Sequence, residues 1–183
     1  MPPFSLPISG ACRCGRVAIR VTKPPLVTSA CHCRGCQKMS SSAYSLTAVI
    51  PSEGFEVTKG EPVIGGLHGA DTHHHFCGHC MTWMFTRPEG KPSARAPGVR
   101  RSKSQIVGFS SASRTAASRF VNVRPTLLDD ASWFRPFMET YTSTKLAFAE
   151  TGAVRSFAEF PRNEEYEGLM AEYRAWVGTD ADG

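Results

Sequence analysis

Seven cysteines, all of them in C-x-C or C-x-x-C spacings, constrain this chain more than any other feature of its sequence. Cys31, Cys33 and Cys36 fall within six residues; Cys12 and Cys14 precede them, and Cys77 and Cys80 follow. A disulfide framework built from seven thiols leaves one over. In a reducing compartment, closely spaced cysteines hold metal more often than they pair. Metal ligation is therefore the expected use of all seven.

The spacing suggests how they divide. In an extended segment residues two apart share a face, so Cys31 and Cys33 project together. Arg34 and Gly35 then permit a tight turn that brings Cys36 back toward them. Three thiolates converging on one zinc, at about 2.3 Å each, leave a fourth tetrahedral position open, which is the mark of a catalytic rather than a structural site. The alternative is a closed site whose fourth ligand is His32, His75 or His79. Of these His32 fits least, because a residue between two same-face cysteines points the other way. Cys12 and Cys14, on one face of a strand predicted over Gly10 to Val21 with a bulge or turn at Gly15, combine with Cys77 and Cys80 into a saturated, structural four-thiolate site. That site clips together segments 65 residues apart. Cys77-Gly-His-Cys80 resembles a zinc knuckle. The run His73-His-His75 reads as alternating strand residues rather than ligands, with one ring able to carry protons beside the open site.

The rest of the chain supplies a frame. With 183 residues, 41% of them apolar, it is long enough for one domain with a real core. No apolar run reaches 18 residues, so no membrane-spanning helix is expected. The opening Met-Pro-Pro-Phe-Ser-Leu-Pro lacks a charged n-region and an apolar h-region, which gives a cytoplasmic location as the expectation. Strands are predicted over Leu26 to Cys33, Tyr44 to Pro51, Phe55 to Thr58, Thr72 to Phe76, Trp83 to Thr86 and Phe120 to Arg124, with one or two short edge strands within Thr142 to Phe160. Asn163 is the expected cap of a last helix. Its apolar stripe, Tyr166, Leu169, Met170, Tyr173, Trp176 and Val177, should dock on a sheet. The fold class is therefore all-β, of small antiparallel sheets around a zinc-clipped core, with a C-terminal helix.

Lys91 to Arg119 is different in kind. It holds seven Lys and Arg and no acid, more than the whole net charge of +5. It reads as a basic, disordered insert that interrupts a single domain over residues 8–177, with Phe85-Thr-Arg87 and Phe120-Val-Asn-Val123 brought together on either side of it. Confined to one segment, the charge is weak support for a nucleic-acid partner.

Three stretches, Gly10-Ala-Cys-Arg-Cys-Gly-Arg-Val17, Cys31-His-Cys-Arg-Gly-Cys-Gln37 and Phe76-Cys-Gly-His-Cys80, resemble the signatures of the glutathione-dependent formaldehyde-activating family, whose domain centromere protein V shares. The resemblance implies a tent-like all-β fold and two zinc ions per chain. It implies that Cys12, Cys14, Cys77 and Cys80 hold the structural ion and Cys31, Cys33 and Cys36 the catalytic one. It further implies a carbon–sulfur lyase that adds glutathione, or a similar thiol, to formaldehyde or another small aldehyde. The rival reading is a non-catalytic zinc module that binds glutathione or a protein partner. Met81 departs from the family pattern, which usually has glycine after the second knuckle cysteine.

Overall fold

A computed structural model describes residues 4–66, 72–88 and 119–179. Its first two strands, β1 (Ile8–Ala11) and β2 (Ala18–Val21), form an antiparallel hairpin with Ile8 opposite Val21 and Ala11 opposite Ala18. The strand predicted over Gly10 to Val21 is thus two strands, divided at the bulge or turn expected at Gly15. The chain reverses between Cys12 and Val17, where the Cys12 N–H donates to the Val17 carbonyl at 2.9 Å and Gly15 sits at φ +70°. That left-handed conformation costs glycine little. Cys12 and Cys14 meet because they share a turn, not because they alternate along a strand.

β3 (Val27–Cys31) is buried at every residue. The chain then enters α1 (Arg34–Ser40) directly, in place of the tight turn predicted at Arg34 and Gly35. Next come β4 (Ser45–Pro51), β5 (Phe55–Lys59), β6 (Pro62–Gly65), β7 (Thr72–Cys77), β8 (Trp83–Pro88), β9 (Phe120–Val123), β10 (Met138–Thr140) and β11 (Arg155–Ser156). The helix α2 (Tyr166–Thr179) closes the described chain.

β1, β2 and β5 form a three-stranded antiparallel sheet. The other eight strands form a second sheet in the order β11-β10-β3-β4-β9-β8-β7-β6. It is antiparallel except at one end, where β10 runs parallel to both β3 and β11. A strand flanked on both sides and covered on both faces is continuously apolar or small, which explains the Val-Thr-Ser-Ala-Cys of β3. β8 and β9 pair with Phe85 opposite Val123 and Thr86 opposite Asn122, the juxtaposition expected on either side of the basic insert. Positions 91–118 of that insert lie outside the described residues.

The main core fills the space between the two sheets. Ile8, Val17, Ile19 and Val21 from the smaller one meet Ile50, Phe85, Val121 and Val123 from the larger. Gly10 bridges to Leu128 here, and a Cβ on it would collide with the Leu127 carbonyl. A second cluster docks α2 on the larger sheet: Tyr166, Leu169 and Tyr173 pack on Val27, Phe137 and Met138, with Trp176 and Val177 at its margin. The expected stripe is therefore a docking face, with Met170 outside this cluster. Its entry differs from expectation. The 3-10 turn Asn163–Glu165 leads into α2, and the Glu165 carboxylate accepts the Arg162 backbone N–H at 2.7 Å, so Arg162 stands where Asn163 was expected to cap.

Candidate metal centres

Two groups of thiols converge among the described residues, and they divide the seven cysteines four and three. In each, all sulfurs lie within 4.8 Å of one another. No histidine nitrogen joins either group among the described residues.

The four-cysteine group is built from two turns. The β1–β2 turn supplies Cys12 and Cys14; the end of β7 and the turn into β8 supply Cys77 and Cys80. Cys14 Sγ lies 3.5 Å from Cys12 Sγ and 3.7 Å from Cys77 Sγ. A tetrahedron with Zn–S bonds of about 2.3 Å has sulfur–sulfur edges of about 3.8 Å, so these sulfurs fit one ion. Backbone and hydroxyl donors already face them. The Val17 N–H reaches Cys12 Sγ at 3.3 Å, and the Thr82 hydroxyl lies 3.1 Å from Cys80 Sγ. That hydroxyl and the Thr82 N–H hold the Cys80 thiol down to about 5. Met81, the departure from the family pattern, adopts φ +55° with its side chain largely exposed. The turn is retained, at the strain of a left-handed non-glycine residue.

The three-cysteine group is built from a strand end and a helix start. Cys31 is the last residue of β3, hydrogen-bonded in register between Ser45 of β4 and Thr140 of β10. Cys33 is the N-cap of α1, and its sulfur accepts the Cys36 N–H at 3.3 Å. Cys31 is buried; Cys33 and Cys36 are half-buried. Hydrogen bonds from the Cys31 and Cys36 thiols, then from the N–H groups of Cys36 and Gly35, pull Cys33 down to about 2. Sharing those same bonds with Cys33 and Cys36, together with burial, pushes Cys31 far up. Three converging sulfur donors match the soft-ligand chemistry of zinc.

His32 points away from the sulfurs, as expected for the residue between Cys31 and Cys33, and its role was not legible in the sequence. The ring is fully buried, with Nε2 3.0 Å from Glu139 Oε2. Glu139 is buried too, and accepts from Lys145 Nζ at 2.9 and 3.1 Å, Thr151 Oγ1 at 2.8 Å and Ser156 Oγ at 2.8 Å. Burial works against its charge, but these donors, Lys145 first, hold its carboxyl down to about 2. The His32 backbone is pinned as well: its N–H donates to Thr140 O, and its carbonyl accepts from Gln37 Nε2 at 2.8 Å and Thr144 Oγ1 at 2.9 Å. Beside the centre, Tyr141 adopts φ +58°. Burial first, then the negative charge of Cys33 and Cys31, pushes its hydroxyl up to about 12.

His73, His74 and His75 belong to the sheet. His74 Nδ1 lies 2.9 Å from Thr86 Oγ1, and His75 stacks on Phe85 with ring centroids 4.5 Å apart. His79 is exposed in the knuckle. Arg124, at the end of β9, is a second residue that spacing alone did not single out. It is buried against Trp83 on the strand next to β4. The only local signal for it or for Glu139 is a lone charge beside an apolar strand, as in Phe120-Val-Asn-Val-Arg124 and Phe137-Met-Glu139.

Comparisons with known proteins bear on the family of the chain. No curated protein matches the chain. A crystal structure of a Rhodobacter sphaeroides protein aligns with 66% of this chain and 87% of its own, at 16% identity and a TM-score of 0.43. The family model described as glutathione-dependent formaldehyde-activating enzyme matches residues 7–101, more than half of the sequence. The chain belongs to the glutathione-dependent formaldehyde-activating family.

Proposed function

We propose that the protein is a zinc-dependent carbon–sulfur lyase that adds glutathione, or a similar thiol, to a small aldehyde. The observation that carries this reading is the three-cysteine centre: three converging sulfurs, joined by no fourth Cys, His, Asp or Glu among the described residues, in a chain of this family. Cys12, Cys14, Cys77 and Cys80 are assigned to a structural zinc, and the domain is taken to run over residues 8–177 with the basic segment as an insert. A cytoplasmic setting suits thiols that must stay reduced.

In the reaction the thiol loses its proton, its sulfur bonds to the carbonyl carbon, the C=O π bond opens onto oxygen, and that oxygen takes up a proton. A zinc held by Cys31, Cys33 and Cys36 would supply a Lewis-acidic position with one place for an outside donor. The chain's own part is to hold and to donate. β3 fixes Cys31 between two strands, and the α1 N-terminus fixes Cys33 and Cys36. Glu139 and Lys145 lock the intervening His32 in one orientation. Tyr141 keeps its phenol proton at neutral pH and is the candidate donor to the aldehyde oxygen.

The test is metal stoichiometry with glutathione titration, on the wild type and on a Cys31, Cys33, Cys36→Ser triple variant. Zinc should fall from two equivalents to one in a chain that stays folded, and adduct turnover should be lost. Full turnover in the triple variant would sink the enzyme reading. Tight glutathione binding without turnover in the wild type would leave the binding module.

A further inference from the structure

Arg124 is a buried cation without a carboxylate. Only 8% of its surface is exposed. Nη1 donates to the Leu46 carbonyl at 2.9 Å, Nη2 to the Asn122 carbonyl at 3.4 Å, and the guanidinium lies 4.0 Å over the Trp83 ring. Nε has no partner, and no acidic residue pairs with it among the described residues. A buried charge held only by two neutral carbonyls and one aromatic face is incompletely compensated.

Its link to the three-cysteine centre runs through β4, the strand between β9 and β3. Leu46, which takes the Nη1 bond, follows Ser45, the cross-strand partner of Cys31. Burial pulls Arg124 down to about 10, and the negative charge of Cys36 and Cys31 pushes back toward its cationic form. Of the other charges near the centre, Lys145 and Glu139 form an ion pair on the His32 side, and Arg34 is exposed to water and donates to Gln37 Oε1. What remains is a buried cation lacking a carboxylate, across β4 from three sulfurs that would be thiolates around a metal ion.

We propose that Arg124 is a positioning residue of the three-cysteine centre, supplying the single positive charge that makes three thiolates and a divalent ion electrically neutral. This rests on the reading that the trio binds such an ion. With Arg124 in place, an incoming fourth thiolate meets a neutral centre rather than an anion. The four-cysteine group needs no such device, because Cys14 is exposed and water screens its charge.

The experiment measures zinc and cobalt(II) binding to the full chain by competition with a chromophoric chelator, in the wild type, Arg124→Met and Arg124→Lys. The four-cysteine centre is the internal standard, since a merely structural defect would loosen both. Removing the charge should weaken the equivalent held by the trio about 10–100-fold. Arg124→Lys should stay within a few-fold of the wild type, and the other equivalent should be unchanged in both. Equal affinity of the trio in wild type and Arg124→Met would overturn the inference, as would parallel weakening of both centres. A wild-type chain that binds one equivalent overturns the metal reading, and this inference with it. If Arg124→Met does not fold, it is combined with Cys33→Ser, which removes one thiolate but keeps an N-cap acceptor. Recovery of folding supports charge compensation, and a double variant that stays unfolded assigns Arg124 to the sheet instead.

Discussion

The two sulfur centres are built in opposite senses. The four-cysteine group joins two turns whose cysteines lie 63 residues apart across Cys14 and Cys77, and its supporting donors, Val17 and Thr82, are close in sequence to the cysteines they serve. The three-cysteine group takes its sulfurs from six consecutive residues, and its support comes from far away. Glu139 reaches His32 across 107 positions, and Thr144 reaches it across 112. The first centre holds the chain; the chain holds the second. A group that closes a long loop contributes to folding, whereas a group oriented by the finished fold is free to spend its coordination on something from outside.

Breaking the first centre should have the larger effect. Cys77→Ser removes a sulfur that is buried and part of the clip between the β1–β2 turn and the knuckle. Structural zinc can contribute about 10 kcal/mol or more to a small domain, and a whole domain is stable by about 5–15 kcal/mol. The expected outcome is loss of the cooperative thermal transition, followed by circular dichroism, together with loss of bound metal. The Cys31, Cys33, Cys36→Ser variant should keep that transition and lose turnover by at least about 100-fold. If the two phenotypes were exchanged, the division of labour drawn here would be wrong.

This asymmetry also explains what could be read from the sequence. The sorting of seven cysteines into four and three is written in local spacing, and it survives even where the local structure differs. Cys12 and Cys14 meet in a turn instead of on a strand, and Cys36 returns through α1 instead of through a tight turn. Turns and helix starts both bring residues two or three apart together, so several local conformations satisfy one sulfur geometry. The α2 docking face was legible for a similar reason, since its period belongs to the helix itself. Glu139 and Arg124 were not legible. Each is a single charge whose meaning depends on which strand lies beside it, and β10 pairs parallel with β3, more than a hundred residues away. The Arg162 entry to α2 was missed because Asn163 had the better capping side chain; the structure uses a Glu165 carboxylate on a backbone N–H instead.

A smaller effect would sharpen the contrast by isolating the support of the second centre. The Glu139 carboxyl is held at about 2 in the fold, well below its ordinary value near 4.5. A carboxylate depressed by folding stabilises the protein above its unfolded pKa, and that stability is lost as pH falls through the folded one. The window is therefore about pH 4.5 down to 2, and the size is of order 2–4 kcal/mol. Glu139→Gln should flatten the acid limb of the stability curve in that window, measured by denaturant titration at a series of pH values. At neutral pH it should leave the metal in the four-cysteine centre in place. An unchanged acid limb would mean that the His32, Lys145, Thr151 and Ser156 contacts do not favour the charged form in solution.

The smallest expected effect concerns Tyr141, which separates holding a donor from completing the addition. Its backbone sits in the left-handed region at φ +58°, a conformation that costs a non-glycine residue free energy and that persists where the surroundings impose it. Its hydroxyl, pushed up to about 12 by burial and by the sulfur charge, keeps its proton across the physiological range. Tyr141→Phe preserves the ring, which packs edge-on against Phe160 at 4.9 Å, and deletes only the hydroxyl. Metal content and thermal stability should then be unchanged within error, since neither depends on the hydroxyl. Turnover should fall by about 100-fold if that hydroxyl delivers the proton to oxygen, the lower end of the range for a positioned general acid. Because thiol addition to a small aldehyde is easy in water, the comparison must be made on the enzyme-dependent rate after subtracting the uncatalysed one. A Tyr141→Phe chain with two zinc ions and an unaltered net rate would remove Tyr141 from the reaction and leave water as the proton source, with the three-cysteine centre acting on the thiol alone.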